Sequence, residues 1–413
     1  MEDNAIKRIS FCDIVLLFVC LFLTFKQLNV FFPPLYTVGV LLAGCLLLLF
    51  ITKNRLRDVS IIWFVVYAVV LVLNFLAGDS YFDSIGDVIQ EIAILFFTST
   101  LSYYVFAGKY VRFAKVLIYL ILAIITYYSV SSFILEQEFP GIIRNTVYMT
   151  NLGELDDLRI YYMSGLATYQ LPHALPILIP PLVMVIRQRS NPTWERFLGG
   201  IVLIAVFIIT FISYAATALF LSILMLLLAL IVRQGSIKDN IARLAVVGII
   251  FLPIIISPSF ILRPLSDLFS TAEDASYIDK LIDIQKLADS GTATGSVAAR
   301  ESRYDITFDE IIEHPILGTN EQTGDHSAIF DRWASLGLVG WIPYIVFIAL
   351  QFKAIKKRIS KEARPYYVLG VFAALFMLFT KNMSNWETWF MVFTILPLMT
   401  WLQSQKTIKT ITS

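Results

Sequence analysis

Twelve mostly apolar stretches recur along the chain, near residues 9–25, 30–52, 60–77, 89–107, 113–134, 168–186, 197–212, 214–232, 244–260, 333–352, 366–381 and 385–402. An α-helix needs about 20 such residues to cross hydrocarbon, because its backbone must there satisfy all of its own hydrogen bonds. The seventh and eighth stretches run together and are too long for one helix, so a tight hairpin is expected near Ser213. The pattern predicts an all-α polytopic membrane protein with about 12 transmembrane helices, in which residues 1–413 form one integral membrane domain. No internal repeat or low-complexity tract is seen. A transporter would more often show related halves with short loops on both sides.

The segments between the stretches alternate in charge. The N-terminal segment and every second connection after it, taken as one side, hold 22 of the 32 Lys and Arg residues. The opposite side holds 24 of the 31 Asp and Glu residues. Basic loops stay in the cytoplasm, so both termini are expected to be cytoplasmic. The opening MEDNAIKRIS lacks a small-residue cleavage site before its apolar run and predicts a retained first helix. Composition agrees: 15% of residues are charged and mean hydropathy is +0.75, well short of the polar surface a water-soluble domain carries. Cys12, Cys20 and Cys45 all fall in the first two runs without CxxC spacing, and read as small core hydrophobes.

Two of the outer connections are long, at 135–163 and 261–332, and are expected to carry short helices. Within the second, SYIDKLIDIQKLADS places Ile278, Leu281, Ile282 and Leu287 on one face, as in an interfacial helix. RESRYDITFDEIIEHP sets Ile306, Ile311 and Ile312 near one face and stops at Pro315. Basic residues are scarce on this side: Lys26, Arg144, Arg159, Arg263, Lys280, Lys286, Arg300, Arg303, Arg332 and Lys381. Arg300 and Arg303 lie one helical turn apart, and a guanidinium grips phosphate through two parallel hydrogen bonds where Lys offers a point charge. Pairing with the many acids of the same loop is the other role open to each.

The three histidines lack metal-ligand spacing such as HExxH and predict no metal site. His314 precedes a proline at a helix end and suits capping or exposure. His173 lies in a proline-flanked segment and suits a structural role. His326 sits in GTNEQTGDHSAIFDRWASLGLVGWIPY, where a polar turn enters a span. Asp325, His326, Asp331 and Arg332 are expected together at the outer boundary, with Asp325 tuning the imidazole for proton transfer. Asp13 and Glu91 lie near span ends and line no obvious pathway.

HPILG (His314 to Gly318) followed by DHSAIFDRWASLGLVG (Asp325 to Gly340) resembles the signature region of the O-antigen polymerase and O-antigen ligase superfamily. Ten residues separate His326 from Gly337, Arg300 stands 15 residues before Pro315, and Arg159 precedes Gly165, all similar to that superfamily. The motifs cover about 297–341, with weaker support near 159–176. His326-Ser327 is closer to capsule and O-antigen polymerases than the His-Asn of many relatives. The second glycine of a Gly-x-Gly turn is replaced, since Gly318 is followed by Thr319 and Asn320.

The resemblance implies a metal-independent glycosyltransferase of the bacterial inner membrane, needing no cofactor, with its site facing the periplasm or cell exterior. Donor and acceptor would be polyprenyl-pyrophosphate-linked oligosaccharides, and the partners the bilayer, a flippase and a chain-length regulator, with no nucleic acid. It assigns catalysis to His326, Asp325 and Arg300, and substrate binding to Arg159, Arg303, Arg332 and Gly337. A ligase moving finished glycan onto lipid A core or protein shares these features. A lipid-linked oligosaccharide flippase or transporter is the reading from another class.

Overall fold

The computed structural model describes residues 9–53, 55, 58–78, 82, 84–152, 155–232, 295–321 and 326–412. Among them the secondary structure is helical throughout, with no strand. In chain order the helices are α1 (Phe11–Thr24), α2 (Lys26–Asn29), α3 (Pro34–Ile51), α4 (Val59–Leu76), α5 (Ile85–Gly108), α6 (Val111–Glu138), α7 (Ile142–Leu152) and α8 (Leu155–Met163). There follow α9 (Gln170–Ala174), α10 (Ile179–Arg187), α11 (Thr193–Ile212), α12 (Ala216–Ile231), α13 (Gly295–Glu313), α14 (Phe330–Arg358), α15 (Arg364–Thr380), α16 (Trp386–Phe390) and α17 (Leu396–Thr412). Seven helical segments among the described residues are long and apolar enough to cross a membrane, and α1, α12 and α15 are shorter apolar helices. The ninth apolar run and the face of Ile278, Leu281, Ile282 and Leu287 lie outside the described residues.

Lipid is the solvent this surface requires. Only 22% of α3 is covered by the rest of the chain, although it is almost wholly apolar. Phe11, Leu35, Leu46 and Phe50 all present large side chains outward. An apolar belt of that extent in water would drive aggregation, whereas in hydrocarbon it costs nothing. Inside the belt, α4 packs along α14, α6 along α11 and α3 along α5.

The expected hairpin lies where the sequence places it: α11 ends at Ile212, Ser213 caps it, and Tyr214 turns the chain at φ 52° before α12. Two other spans are less regular than their apolar runs suggest. Pro172, Pro176, Pro180 and Pro181 crowd one segment, so α9 and α10 are joined by a 3-10 turn at Leu175–Leu178. A π turn at Met391–Ile395 joins α16 to α17.

Polar contacts sort the bundle into two ends. At one end Arg55 reaches Gln351, Ser360 reaches Ser404, Arg187 reaches the Val232 carbonyl, and Lys406 pairs with Glu195. At the other, Asn320 reaches Asn74 and Gly78, Ala328 reaches Lys381, Gln27 reaches Tyr162, and Thr168 reaches Glu387. Each contact joins segments that the charge pattern assigns to the same side.

The second end is organised around two crossing glycines. Pro315, Ile316 and Gly318 run alongside a break in α14, where Gly337 adopts φ 59° and ψ −170°. Backbone bonds then pair the strands of this crossing: Thr319 to Ala334, Asn320 to Ser335, Leu338 to Pro315 and Val339 to Ile316, at 2.9–3.2 Å. Here Asn320 supplies what a second glycine would. It takes φ 70°, a region Asn enters more easily than other side-chain-bearing residues. Its carboxamide also meets Asn74 and donates to the Gly78 carbonyl at 3.0 Å. Asn320→Gly should therefore keep the turn and lose the latch, whereas Asn320→Ala should lose both. We expect the alanine variant to melt below the glycine variant, by about 1–2 kcal/mol from the left-handed strain alone. Equal melting of the two in detergent would refute this.

One sequence expectation is corrected. Ile306, Ile311 and Ile312, expected near one face, do not share one environment: Ile311 is covered, while Ile306 and Ile312 are exposed. α13 instead docks through Thr307, Ile311 and the rings of Tyr304 and Phe308, the latter against Phe330. Its stop before Pro315 is as expected.

Candidate functional site

The turn from His326 to Phe330 is fixed from below. Asp331 Oδ2 accepts the backbone N–H groups of both His326, at 2.8 Å, and Ser327, at 2.9 Å. The Ser327 hydroxyl accepts the Phe330 N–H at 3.1 Å, and Ala328 donates to the Lys381 carbonyl at 3.1 Å. The backbone carrying the imidazole is therefore bonded both to its own helix and to the turn after α15.

Above this turn, Arg303 of α13 places Nη1 3.2 Å from His326 Nδ1, on the exposed face. A guanidinium can only donate, so Nδ1 is the acceptor and the ring's proton resides on Nε2. That tautomer presents an N–H, not a lone pair, at Nε2. Tyr304 flanks the ring edge-on, its hydroxyl donating to the Phe379 carbonyl at 3.1 Å.

Arg332 is not at the surface with His326. It is 1% exposed and points into the bundle, where it donates to Glu91 at 2.5 Å, to Ser384 at 2.7 Å, to the Tyr67 hydroxyl at 2.9 Å and to the Ala328 carbonyl at 3.1 Å. Its guanidinium also stands 4.9 Å from the centre of the Tyr344 ring. Ser384 accepts the Trp389 indole N–H at 3.1 Å, closing the network. A buried ion pair offsets its desolvation only when its remaining donors are also satisfied, and here three further acceptors do that. Arg332 thus meets the His326 turn from the buried side, through the Ala328 carbonyl two residues from His326.

The remaining sequence candidates separate. Gly337 forms the helix break, where an added Cβ would meet the backbone of Ile316 and Gly318. Arg300 lies on α13 one turn before Arg303. Asp325 lies outside the described residues, and the anchoring carboxylate that the structure shows is Asp331. Arg159 sits on α8 in a half-exposed pair with Asp156 at 3.0 Å, making no bond to Arg303 or His326. Pairs so exposed contribute little, which leaves this guanidinium available. His314 is exposed, and His173 is buried with Nδ1 3.0 Å from the Tyr169 carbonyl. Cys20 and Cys45 are buried and free.

Sequence reasoning passed over Glu91, Ser384, Tyr67 and Glu387. Glu91 did carry a signal, being an acid inside the first turns of an apolar span, where an unpaired charge is expensive. Nothing local identified its partner 241 residues away. Taken together, these residues define an all-α protein embedded in a membrane through its apolar helices, with a polar, partly covered site at one end of the bundle. No protein-family model matches the chain, and no curated protein matches it.

Proposed function

We propose that this chain joins polyprenyl-pyrophosphate-linked oligosaccharide repeat units into a surface polysaccharide, whether O-antigen, capsule or exopolysaccharide. In this reading twelve spans cross the bacterial cytoplasmic membrane, both termini are cytoplasmic, and the His326 end faces outward. The observation that supports it best is the Arg303–His326 pair held over a rigid turn, on the side where basic residues are otherwise scarce. The acceptor hydroxyl attacks the donor sugar's anomeric carbon, the bond to pyrophosphate breaks, its electron pair leaves with the phosphate oxygen, and the hydroxyl proton is taken up by the departing pyrophosphate. Arg303, with Arg300 one turn away and Arg159 on α8, would neutralise that developing charge as preorganised cations do. His326 then orients substrate through its Nε2 hydrogen, a role the Arg303 contact favours over that of general base.

The test complements a clean deletion and displays the surface glycans on a gel. Wild type should restore a ladder where the deletion leaves single repeats. His326→Gln keeps a donor near the Nε2 position and should retain a reduced ladder, while His326→Ala abolishes it. If both are equally inactive, at the 10²–10⁴-fold loss typical of a missing acid or base, the orienting role fails. Arg303→Lys keeps the charge but loses the planar fork and should lower output. Long chains accumulating on the lipid carrier in the deletion would instead identify a ligase. An unchanged ladder would overturn the reading altogether.

A further inference from the structure

We infer that the corner after α13, at Ile312, Ile316 and Leu317, is inserted in lipid at the His326 end of the bundle. It thereby sets how high Arg303 and His326 stand above the hydrocarbon. The charge pattern assigns 261–332 to water, yet the packing carries its last part down beside a membrane span. Contacts between α13 and α14 advance together along both segments. Arg303 meets His326 at 3.2 Å, the Phe308 and Phe330 ring centres lie 5.1 Å apart, and the Ile316 carbonyl accepts the Val339 N–H at 3.2 Å. The two segments therefore run side by side in the same direction, and α13 descends as α14 does.

The depth follows from the length of the shaft. Val339 stands 14 residues before Lys353 and 17 before Lys356, which at the helical rise is about 21–26 Å. These lysines mark the opposite boundary of a hydrocarbon core about 30 Å thick. Val339, and the Ile316 it bonds, thus lie about 4–9 Å below the near boundary, the depth at which interfacial elements bury their apolar faces. Any tilt of the shaft takes them deeper. Glu313 and His314, exposed beside the corner, keep the insertion shallow.

The surface and the backbone of the corner both suit that depth. Ile312, Ile316 and Leu317 are 61–76% exposed, and Val339 and Ile342 of α14 continue the outward apolar surface. Non-helical backbone lies at membrane depth only where the protein bonds it. Here the Pro315 carbonyl accepts the Leu338 N–H at 2.9 Å and the Trp333 indole N–H at 3.4 Å, and Gly318 donates to the His314 carbonyl at 3.0 Å. Trp333 stacks on Trp341 at 4.8 Å, and indoles gather at membrane boundaries. From Ile312, α13 climbs about 13 Å to Arg303, which puts this guanidinium in the headgroup layer. A cation at that height faces lipid-borne phosphate, with or without a glycan attached.

The test uses the full-length chain with Cys12, Cys20 and Cys45 replaced by alanine and one new cysteine spin-labelled, in phosphatidylethanolamine–phosphatidylglycerol vesicles. Oxygen concentrates in hydrocarbon, whereas a neutral nickel chelate stays in water. Leu317→Cys should be relaxed by oxygen and protected from nickel, matching Leu46→Cys on the outward face of α3. Ser302→Cys, exposed one residue before Arg303, should show the opposite order. Nickel relaxation at Leu317→Cys equal to that at Ser302→Cys would overturn the inference. Weak relaxation by both agents would overturn it too, since protein then covers the corner. If the cysteine-free chain fails to fold, the wild-type background serves. There Leu317→Asp should lower the amount of folded protein in the membrane, while Ser302→Asp leaves it unchanged. Leu317 is 74% exposed, so a corner lying in water would tolerate the aspartate, and equal amounts of the two variants would refute insertion.

Discussion

Glu91→Gln is expected to lower stability by about 3–5 kcal/mol, the cost of leaving one member of a buried ion pair uncompensated. Arg332 cannot shed its proton to escape this cost, since guanidinium stays charged in proteins. Among the described residues its ion-pair partner is Glu91, at 2.5 Å. The loss should appear as a large drop in melting temperature in detergent and as reduced protein in the membrane. Arg332→Lys should lie between, because an ammonium can keep Glu91 but cannot also span Tyr67, Ser384 and the Ala328 carbonyl. The informative variant is the double Glu91→Leu/Arg332→Leu. Replacing both charges with apolar groups is often neutral for stability, so this protein should fold close to normally. Its ladder should nonetheless shorten, because the Ala328 carbonyl two residues from His326 then loses its bond to the guanidinium. A double variant with normal melting and normal output would show that the network has no role in positioning the site.

Gly337→Ala should be more damaging than any other single methyl added to the bundle. An ideal Cβ there falls 2.2 Å from the Ile316 carbonyl oxygen, and at Gly318 it falls 2.3 Å from the Ser335 carbonyl oxygen. Both obstacles are backbone and both are held by the crossing's own hydrogen bonds, so neither can yield cheaply. Gly337 also has φ 59° with ψ −170°, a combination essentially reserved for glycine. We expect a loss on the order of 4 kcal/mol or more, the scale reached only by severe steric or polar defects, and no accumulation of folded protein. Gly39→Ala is the control. It lies within α3 with open space around it and should gain up to about 1 kcal/mol from helix propensity. Comparable yields of the two variants would show that the crossing is pliable.

Several of these features could be read from the sequence because their causes are local. The Ser213 hairpin and the stop at His314-Pro315 each follow from a few adjacent residues, whereas Gly337 stood out only through the family resemblance and its part in the helix break did not. The span pattern is similarly local, since every residue of a run reports on its own solvent. Other features depend on distant partners. Nothing near Arg332 announces that it turns inward, because Glu91, Tyr67 and Ser384 come from three separate parts of the chain. Spacing also misjudged α13: it gathered three isoleucines, but the rings of Phe330 and Phe379 decide which side docks. Asn320 illustrates an intermediate case. A missing glycine looked like a departure from the turn, yet asparagine reaches the same dihedral angle and adds a bond to the Gly78 carbonyl.

The interruption of α14 at Gly337 separates the span mechanically into an outer cap and a shaft. Hydrophobic mismatch makes transmembrane helices tilt as bilayer thickness changes, and a continuous helix would carry its first turn with it. Here the cap, Phe330 to Leu336, is bonded to the turns around Asn320 and Lys381, while the shaft is held at its top by Leu338 and Val339 to Pro315 and Ile316 and packs along α4. The ring of His326 therefore takes its height above the membrane from the crossing, and a tilt of the shaft reaches it only through that crossing.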